Sequence, residues 1–244
     1  MVKMDISKKV NIEIQRFKDE YHFTERELPE SIELSKYIDH TLLKPEATPM
    51  MVKQLCEEAV QHSFYSVCVN SAFLPLANEI LQNTDVKKAV VIGFPLGAVS
   101  TDVKVFETNW CLEKGAEEFD MVINVGNLKA ALYNEVYDDI KAVVDASKGK
   151  IVKVIIETAL LTDEEKVAAC VIAKEAGAHF VKTSTGFSKS GATVEDVSLM
   201  KFVVGNEMKV KASGGVRSKE IALAMIKAGA DRIGTSSGIK IVNE

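Results

Sequence analysis

Short apolar runs alternate with amphipathic stretches from about residue 37 onward, and this alternation constrains the fold more than any other feature of the sequence. The runs are rich in Val and Ile and have the length of strands, whereas the stretches between them show helical spacing of apolar residues. Eight strands are predicted, at 38–42, 66–69, 89–92, 119–123, 151–156, 179–182, 209–211 and 231–234, with the clearest helices at 49–61, 102–114, 163–176 and 219–228.

Such repeats predict an α/β fold in which parallel strands are joined by crossover helices. Eight repeats in a chain of 244 residues match a single (β/α)8 TIM barrel, which we place at residues 31–244. A doubly wound open sheet is the alternative, because alternation alone does not prove closure. Residues 1–30 form an extension in this interpretation. Its charged segment 12–27 is expected to form a helix that plugs the barrel bottom, packs on a partner subunit or caps the fold in solvent.

Composition excludes several classes of function. The net charge is −5 and no basic tract occurs, so nucleic-acid binding is not expected. No apolar run reaches the ~18 residues of a membrane helix, and the start lacks a secretory signal. Four scattered cysteines without a CxxC pair favour buried thiols in a reducing cytoplasm. The four histidines lack metal-ligand spacing, so no metal site is predicted.

Strand alternation sends charged side chains into the barrel. In each predicted strand one side must be apolar to meet the helices, which leaves Asp120, Lys153, Lys182 and Lys211 facing inward. The same rule turns Cys68 and Asn70 inward, where they are expected to support the site or line a pocket wall. Buried charges are rarely unpaired, so the group is either a structural ion cluster or a catalytic site.

Lys182 and Lys211 stand at the ends of their strands, where turn residues are usual. In a barrel, the carboxyl ends of the strands form the active-site face. Two neighbouring ammonium groups disfavour each other's protonation, so one amine can be neutral near pH 7 and form a Schiff base with a carbonyl. Lys153 lies earlier in its strand, and a supporting ion-pair role is expected for it.

Turns rich in glycine and serine follow the last three strands, next to the two lysines. Backbone N–H groups at such turns bind phosphate in many barrels, and glycine permits a close approach. The residues expected to contact a phosphate are Gly186, Gly214, Gly215, Ser236 and Ser237.

At these residues the chain resembles the deoxyribose-phosphate aldolases, with a resemblance that covers roughly residues 32–241. The matching segments include YIDHTLLKP at 37–45, VIGFPLG at 91–97, EFDMVINVG at 118–126, FVKTSTGF at 180–187, VKASGGVR at 210–217 and RIGTSS at 232–237.

The resemblance implies reversible cleavage of 2-deoxy-D-ribose 5-phosphate to D-glyceraldehyde 3-phosphate and acetaldehyde, without a metal or organic cofactor. Lys182 matches the Schiff-base lysine, Lys211 the second lysine that tunes it and moves protons, and Asp120 the acidic member of the proton relay. Some relatives have a longer tail that ends in a tyrosine linked to proton transfer. This sequence ends at Asn243-Glu244 without such a tyrosine, so the step is expected to fall to Asp120, Lys211 and water or to be slower. A homo-oligomer, dimer or tetramer, is also expected.

Two alternatives stay open at this point. One is another Schiff-base aldolase or a transaldolase-like barrel, because the pocket near Cys68, Asn70 and Phe94 would decide the size of the donor. The other is a non-catalytic barrel that binds a phosphorylated sugar. The joint presence of Lys182, Lys211 and Asp120 speaks against the second.

Overall fold

Eight parallel strands close into a barrel in the order β1 to β8 in the computed structural model, which describes residues 6–29 and 31–244. Residues 1–5 and 30 of the predicted extension lie outside the described residues. The strands are β1 Ile38–Leu42, β2 Ser66–Val69, β3 Lys87–Ile92, β4 Glu118–Val122, β5 Ile151–Ile155, β6 Phe180–Lys182, β7 Lys209–Ser213 and β8 Arg232–Thr235.

The outer layer is formed by helices, of which α1 precedes the first strand and the others follow strands. They are α1 Ile6–Glu20, α2 Pro49–Gln61, α3 Leu74–Leu81, α4 Thr101–Glu113, α5 Val125–Lys129, α6 Tyr133–Ala146, α7 Asp163–Glu175, α8 Val194–Val204, α9 Lys219–Lys227 and α10 Gly238–Asn243. Short 3-10 turns occupy Leu34–Tyr37, Ser71–Phe73 and Thr158–Leu160. Within the described ranges, no helix is both long and apolar enough to span a bilayer.

Pairing of the last strand with the first distinguishes a closed barrel from a doubly wound open sheet. β8 pairs in parallel with β1, and Ile38 lies opposite Ile233 in that register. The (β/α)8 barrel is therefore confirmed and the open sheet is wrong. Local sequence explains where helices begin: Thr48 caps α2 with Pro49 in its first turn, and Thr162 and Glu165 form a reciprocal capping box at α7.

The strands separate two buried layers, as their alternation predicts. Val152, Val154 and Ile156 belong to the large apolar layer between strands and helices. A small apolar group inside the barrel contains Cys68, Ala89 and Val91, while the rest of the interior is polar and charged. The barrel interior is thus available for chemistry because the outer layer supplies most of the apolar core.

The N-terminal helix differs from its prediction in both bounds and location. It spans Ile6–Glu20 instead of 12–27, and it packs mainly on α7 and also on α6, outside the barrel. The apolar side chains Ile6, Val10, Ile14 and Phe17 contact the core at helical spacing, which sets its extent. The expected plug of the barrel bottom is wrong for this helix. Beyond it, Arg26 donates from Nε to the carbonyl of Ile226 at 2.7 Å.

Docking of α1 can be tested at Val10, which is fully buried. Val10→Ala is expected to lower the free energy of unfolding by about 1–3 kcal/mol, because methyl groups leave a packed site. Ile12→Ala is the matched control on the outer side, where Ile12 is 59% exposed, and it should change stability by less than about 0.5 kcal/mol. Urea unfolding measures both, and equal effects would contradict the docked helix.

Candidate active site

The strand register brings the charged residues of four strands to one place. Asp120 on β4 lies opposite Lys153 on β5, and Lys182 on β6 lies opposite Lys211 on β7. Cα partners in a parallel pair point to the same face, so all four side chains enter the barrel. The sequence predicted this convergence, and each of the four is buried.

The Asp120 carboxylate lies at the centre of this group. Its Oδ2 accepts hydrogen bonds from Lys182 Nζ and Lys211 Nζ, each at 2.7 Å, while its Oδ1 accepts from Lys153 Nζ at 2.7 Å. The ammonium groups of Lys182 and Lys211 are therefore neighbours that share one oxygen atom. Lys182 ends β6 as predicted, but β7 continues to Ser213, so Lys211 lies in the middle of its strand. A carboxylate accepts several charge-assisted bonds of this kind, and it holds the three amines in fixed positions.

Sequence reasoning missed a second ionic layer below Asp120. Arg232 donates from Nε to Asp39 Oδ1 at 2.8 Å and from Nη2 to Glu118 Oε2 at 3.0 Å. Lys153 and Lys211 link the layers, because Lys153 also pairs with Glu118 and Lys211 also pairs with Asp39. Alternation could have found this layer, since Asp39, Glu118 and Arg232 also break apolar strand patterns.

The charges of the interior do not balance. Lys153, Lys182, Lys211 and Arg232 supply four cations, whereas Asp39, Glu118 and Asp120 supply three carboxylates. One positive charge is in excess when all groups are ionised. Of the cations, only Lys182 pairs with a single carboxylate, and it lines the cavity at the mouth of the barrel. Lys182 is therefore the group whose deprotonation best balances the cluster.

The pKa shifts of the two lysines have opposite signs. Burial lowers the pKa of Lys182 below that of an ordinary lysine, and the Lys211 ammonium lowers it further against the attraction of Asp120. Burial acts in the same direction on Lys211, but the carboxylates of Asp120 and Asp39 outweigh it and raise the pKa of Lys211. Lys211 is therefore held as an ammonium ion, whereas Lys182 loses its proton more readily than an ordinary lysine.

Asp120 is held in its anionic form. Burial would raise the pKa of this carboxyl, but the ammonium groups of Lys153, Lys182 and Lys211 outweigh burial and hold the pKa well below its usual range. A carboxylate that accepts hydrogen bonds from three ammonium groups binds a proton only weakly. Asp120 is thus suited to orient amines and water and to pass protons, rather than to store one.

A cavity of about 370 Å³ opens above Lys182 at the carboxyl ends of the strands. The cavity is lined by Gly186, Gly214 and Gly215. Their backbones have positive φ angles of 86°, 85° and 81°. In the part of the chain that the structure describes, the backbone N–H groups of these glycines donate to no protein acceptor. Gly214 must lack a side chain, because a Cβ there would lie 2.9 Å from the Cα of Gly191. Free N–H groups on a concave wall are suited to an anion.

The other predicted site residues divide between the cavity and its surroundings. Ser236 lines the cavity and is exposed, whereas Ser237 lies beside it and donates its N–H to Thr235 Oγ1 at 2.9 Å. Cys68 is buried 4.0 Å from Asp120 Oδ2, and burial raises the pKa of its thiol. Asn70 donates to the carbonyl of Leu43 at 3.2 Å. Cys68 and Asn70 support the walls without lining the cavity.

Two cations at the cavity mouth were not predicted. Lys44 follows β1 and Arg217 follows β7, and both line the cavity. Neither residue lies within a strand, so strand alternation could not have placed them. They add positive charge to the glycine-rich side at a distance from the buried cluster.

Comparison with known proteins agrees with this geometry. Residues 34–244 match the model of the DeoC/LacD family aldolases. The chain is 58% identical over 230 residues to the deoxyribose-phosphate aldolase of Thermotoga petrophila, with coverage of 94% of this chain and 93% of the relative.

Solved structures of high similarity share both fold and length. A protein from Coccidioides immitis, assigned the same activity, superposes with a TM-score of 0.94 at 42% identity, over 100% of this chain and 98% of that one. The deoxyribose phosphate aldolase of Aeropyrum pernix, described as a tetramer, superposes with a TM-score of 0.82 at 34% identity, over 95% of each chain. Together with the match over residues 34–244, these similarities show that the chain belongs to the DeoC/LacD family of aldolases.

Proposed function

We propose that the protein reversibly cleaves 2-deoxy-D-ribose 5-phosphate to D-glyceraldehyde 3-phosphate and acetaldehyde through a Schiff base on Lys182. One observation carries the proposal. The Lys182 amine shares an Asp120 oxygen with Lys211, has its pKa lowered, and faces a cavity lined by free backbone N–H groups. The relatives named above carry this activity in their names.

The first half of the reaction uses Lys182. Its neutral Nζ adds to C1 of the open-chain sugar, and loss of water gives a protonated imine that withdraws electrons from the C2–C3 bond. The hydrogen bond that Lys182 Nζ donates to Asp120 Oδ2 orients the amine for attack, and the Asp120 charge stabilises the iminium cation. The Lys211 ammonium, which donates to the same Asp120 oxygen as Lys182, supplies the proton with which the carbinolamine hydroxyl leaves as water.

The second half cleaves the carbon–carbon bond. The C3 hydroxyl loses its proton as the bond breaks, and the electrons move into an enamine of acetaldehyde on Lys182. Lys211 is neutral at this point because it gave up a proton during the dehydration, so Asp120 relays the C3 proton through water back to Lys211. The low pKa of Asp120 prevents it from retaining the proton. Protonation of the enamine carbon and hydrolysis of the imine then release acetaldehyde. Positioned acid–base groups of this kind each contribute about 10²–10⁴-fold in rate.

The glycine-rich side of the cavity holds the phosphate in this proposal. The free N–H groups of Gly186, Gly214 and Gly215 are the main donors, and Ser236 adds a hydroxyl at the rim. Lys44 and Arg217 contribute long-range attraction at the mouth. Binding the phosphate here fixes the distance from C1 to Lys182 and lowers the entropic cost of reaction.

Assembly and cellular location also belong to this proposal. All four cysteines are free and buried, which supports the reducing cytoplasm as the location. The outer side of α4 presents Val103 and Phe106, of which Phe106 is 73% exposed. We expect a homo-oligomer, because an exposed apolar side of this kind favours burial between subunits. Light scattering after size exclusion checks this, and a monomer at micromolar concentration would contradict it.

Covalent trapping tests the role of Lys182. Borohydride reduction in the presence of acetaldehyde is expected to add one ethyl group, which peptide mass spectrometry should locate on Lys182. Lys182→Met should abolish both the adduct and cleavage, whereas Lys189→Met, at an exposed lysine in the next loop, should keep both. An adduct on another lysine would remove Lys182 from the mechanism.

The pH profile tests the role of Lys211. Because the pKa of Lys182 is lowered, kcat/KM should rise with pH through a midpoint below the pKa of an ordinary lysine. Lys211→Met removes a cation and leaves Asp120 freer to stabilise the Lys182 ammonium, so the midpoint should move to higher pH. Activity at pH 7 should fall about 100-fold or more.

Lys209→Met is the matched control on the same strand, because Lys209 is exposed at the start of β7. This variant should keep the native midpoint and rate. An unchanged midpoint in Lys211→Met would show that Lys211 does not tune Lys182.

A further inference from the structure

Glu157 is an acidic residue in a conformation that acidic residues rarely adopt. It follows β5 directly, with φ 57° and ψ 64°, and its side chain is buried with 4% exposure. A side chain in this left-handed region costs about 1–2 kcal/mol relative to glycine, so its surroundings must compensate. Neither the strand pattern nor the reaction proposed above gives this residue a role.

The carboxylate of Glu157 binds a single residue of the next loop. Its two oxygens each accept from the backbone N–H of Thr185 at 3.3 Å, and Oε2 also accepts from Thr185 Oγ1. Thr185 Oγ1 in turn accepts from the N–H of Phe187 at 3.0 Å. Among the described residues, no cation forms an ion pair with Glu157.

The backbone on either side of Glu157 is anchored to β6. Ile156 donates its N–H to the carbonyl of Lys182 at 3.0 Å, and Thr158 donates to the carbonyl of Thr183 at 2.9 Å. The left-handed turn between these two bonds directs the carboxylate toward Thr185. A buried carboxylate without a cation depends on such hydrogen bonds, so Glu157 and the loop at 185–187 hold each other in one arrangement.

This arrangement decides which donors of the loop reach the cavity. The N–H and hydroxyl of Thr185 are occupied by Glu157, whereas the N–H of Gly186 remains free on the cavity wall. The Phe187 N–H is also turned inward, onto Thr185 Oγ1. Because the N–H groups of Thr185 and Phe187 are engaged, the Gly186 N–H is the backbone donor of this loop that is left for an anion in the cavity.

We propose that Glu157 is a positioning residue that sets the preference for phosphorylated substrates by holding the loop at 185–187. This inference rests on the proposed aldolase function, and it acts at the phosphate end of the substrate and not at Lys182. Loss of the Glu157 carboxylate should therefore weaken the use of phosphorylated acceptors much more than that of unphosphorylated ones.

The test compares two acceptors in the direction of synthesis with acetaldehyde. The measured quantity is the ratio of kcat/KM for D-glyceraldehyde 3-phosphate to kcat/KM for D-glyceraldehyde. Glu157→Gln is expected to lower this ratio about tenfold, mainly through KM for the phosphorylated acceptor, because one charge-assisted acceptor is lost. A residue that served stability alone would lower both values together and leave the ratio unchanged.

A matched control adjoins a different loop at the same end of the barrel. Glu107 likewise accepts from one backbone N–H, of Gly93 at 2.9 Å, and from one hydroxyl, of Ser71 at 2.9 Å, but it adjoins the loop after β3. Glu107→Gln should leave the ratio unchanged. A similar fall in both variants would overturn a specific role for Glu157.

A second variant covers the case in which Glu157→Gln misfolds. Glu157→Gly removes the carboxylate while relaxing the left-handed backbone, and it should lower the ratio at least as far. A native ratio in this variant would overturn the proposal. Borohydride trapping of acetaldehyde on Lys182 should persist in all variants. Loss of trapping in the native protein would instead refute the aldolase function itself.

Discussion

The shared carboxylate of Asp120 is the interaction on which the rest of this site depends. Three ammonium groups converge on its two oxygen atoms within a closed barrel. Without Asp120 the interior would hold several like charges with too few anions, an arrangement that buried groups do not tolerate. The closed barrel makes the convergence possible, because four consecutive strands present their inner faces to one point.

The layer beneath Asp120 explains why the three amines are not equivalent. Lys153 and Lys211 each pair with a second carboxylate, Glu118 or Asp39, whereas Lys182 has Asp120 alone. Arg232 stacks on Tyr65, 3.3 Å from the ring centroid, and anchors those two carboxylates from below. The lower layer thus favours the ammonium form of Lys211 and leaves the excess charge at Lys182, so in the proposed mechanism it helps to tune the Lys182 amine.

The barrel and the charged residues in its interior could largely be predicted from the sequence, and the features that were missed have physical causes. Alternation identified Lys182, Lys211 and Asp120, because a charge on an otherwise apolar strand must face a polar interior. Alternation applies equally to Asp39, Glu118 and Arg232, but their partners lie on strands distant in sequence, so their ion pairs appear only when the barrel closes. Alternation also points Glu157 inward, but it does not predict the hydrogen bonds of Glu157 to Thr185, which depend on a left-handed turn that glycine usually occupies. The predicted bounds of the N-terminal helix were wrong because the many charged residues in 12–27 obscured the apolar stripe that begins at Ile6.

The separation of the ionic cluster from the glycine-rich wall has a consequence for how a phosphorylated substrate is bound. A phosphate held directly by Lys182 or Lys211 would neutralise the excess charge that favours the free amine, and it would raise the pKa of Lys182. Neutral N–H donors at Gly186, Gly214 and Gly215 bind an anion without an ammonium ion at the reacting end. The cations that do line the mouth, Lys44 and Arg217, lie outside the buried cluster. In the proposed mechanism, binding of the phosphate by backbone donors on one side would therefore preserve, on the other side, the charge imbalance that favours the free amine of Lys182.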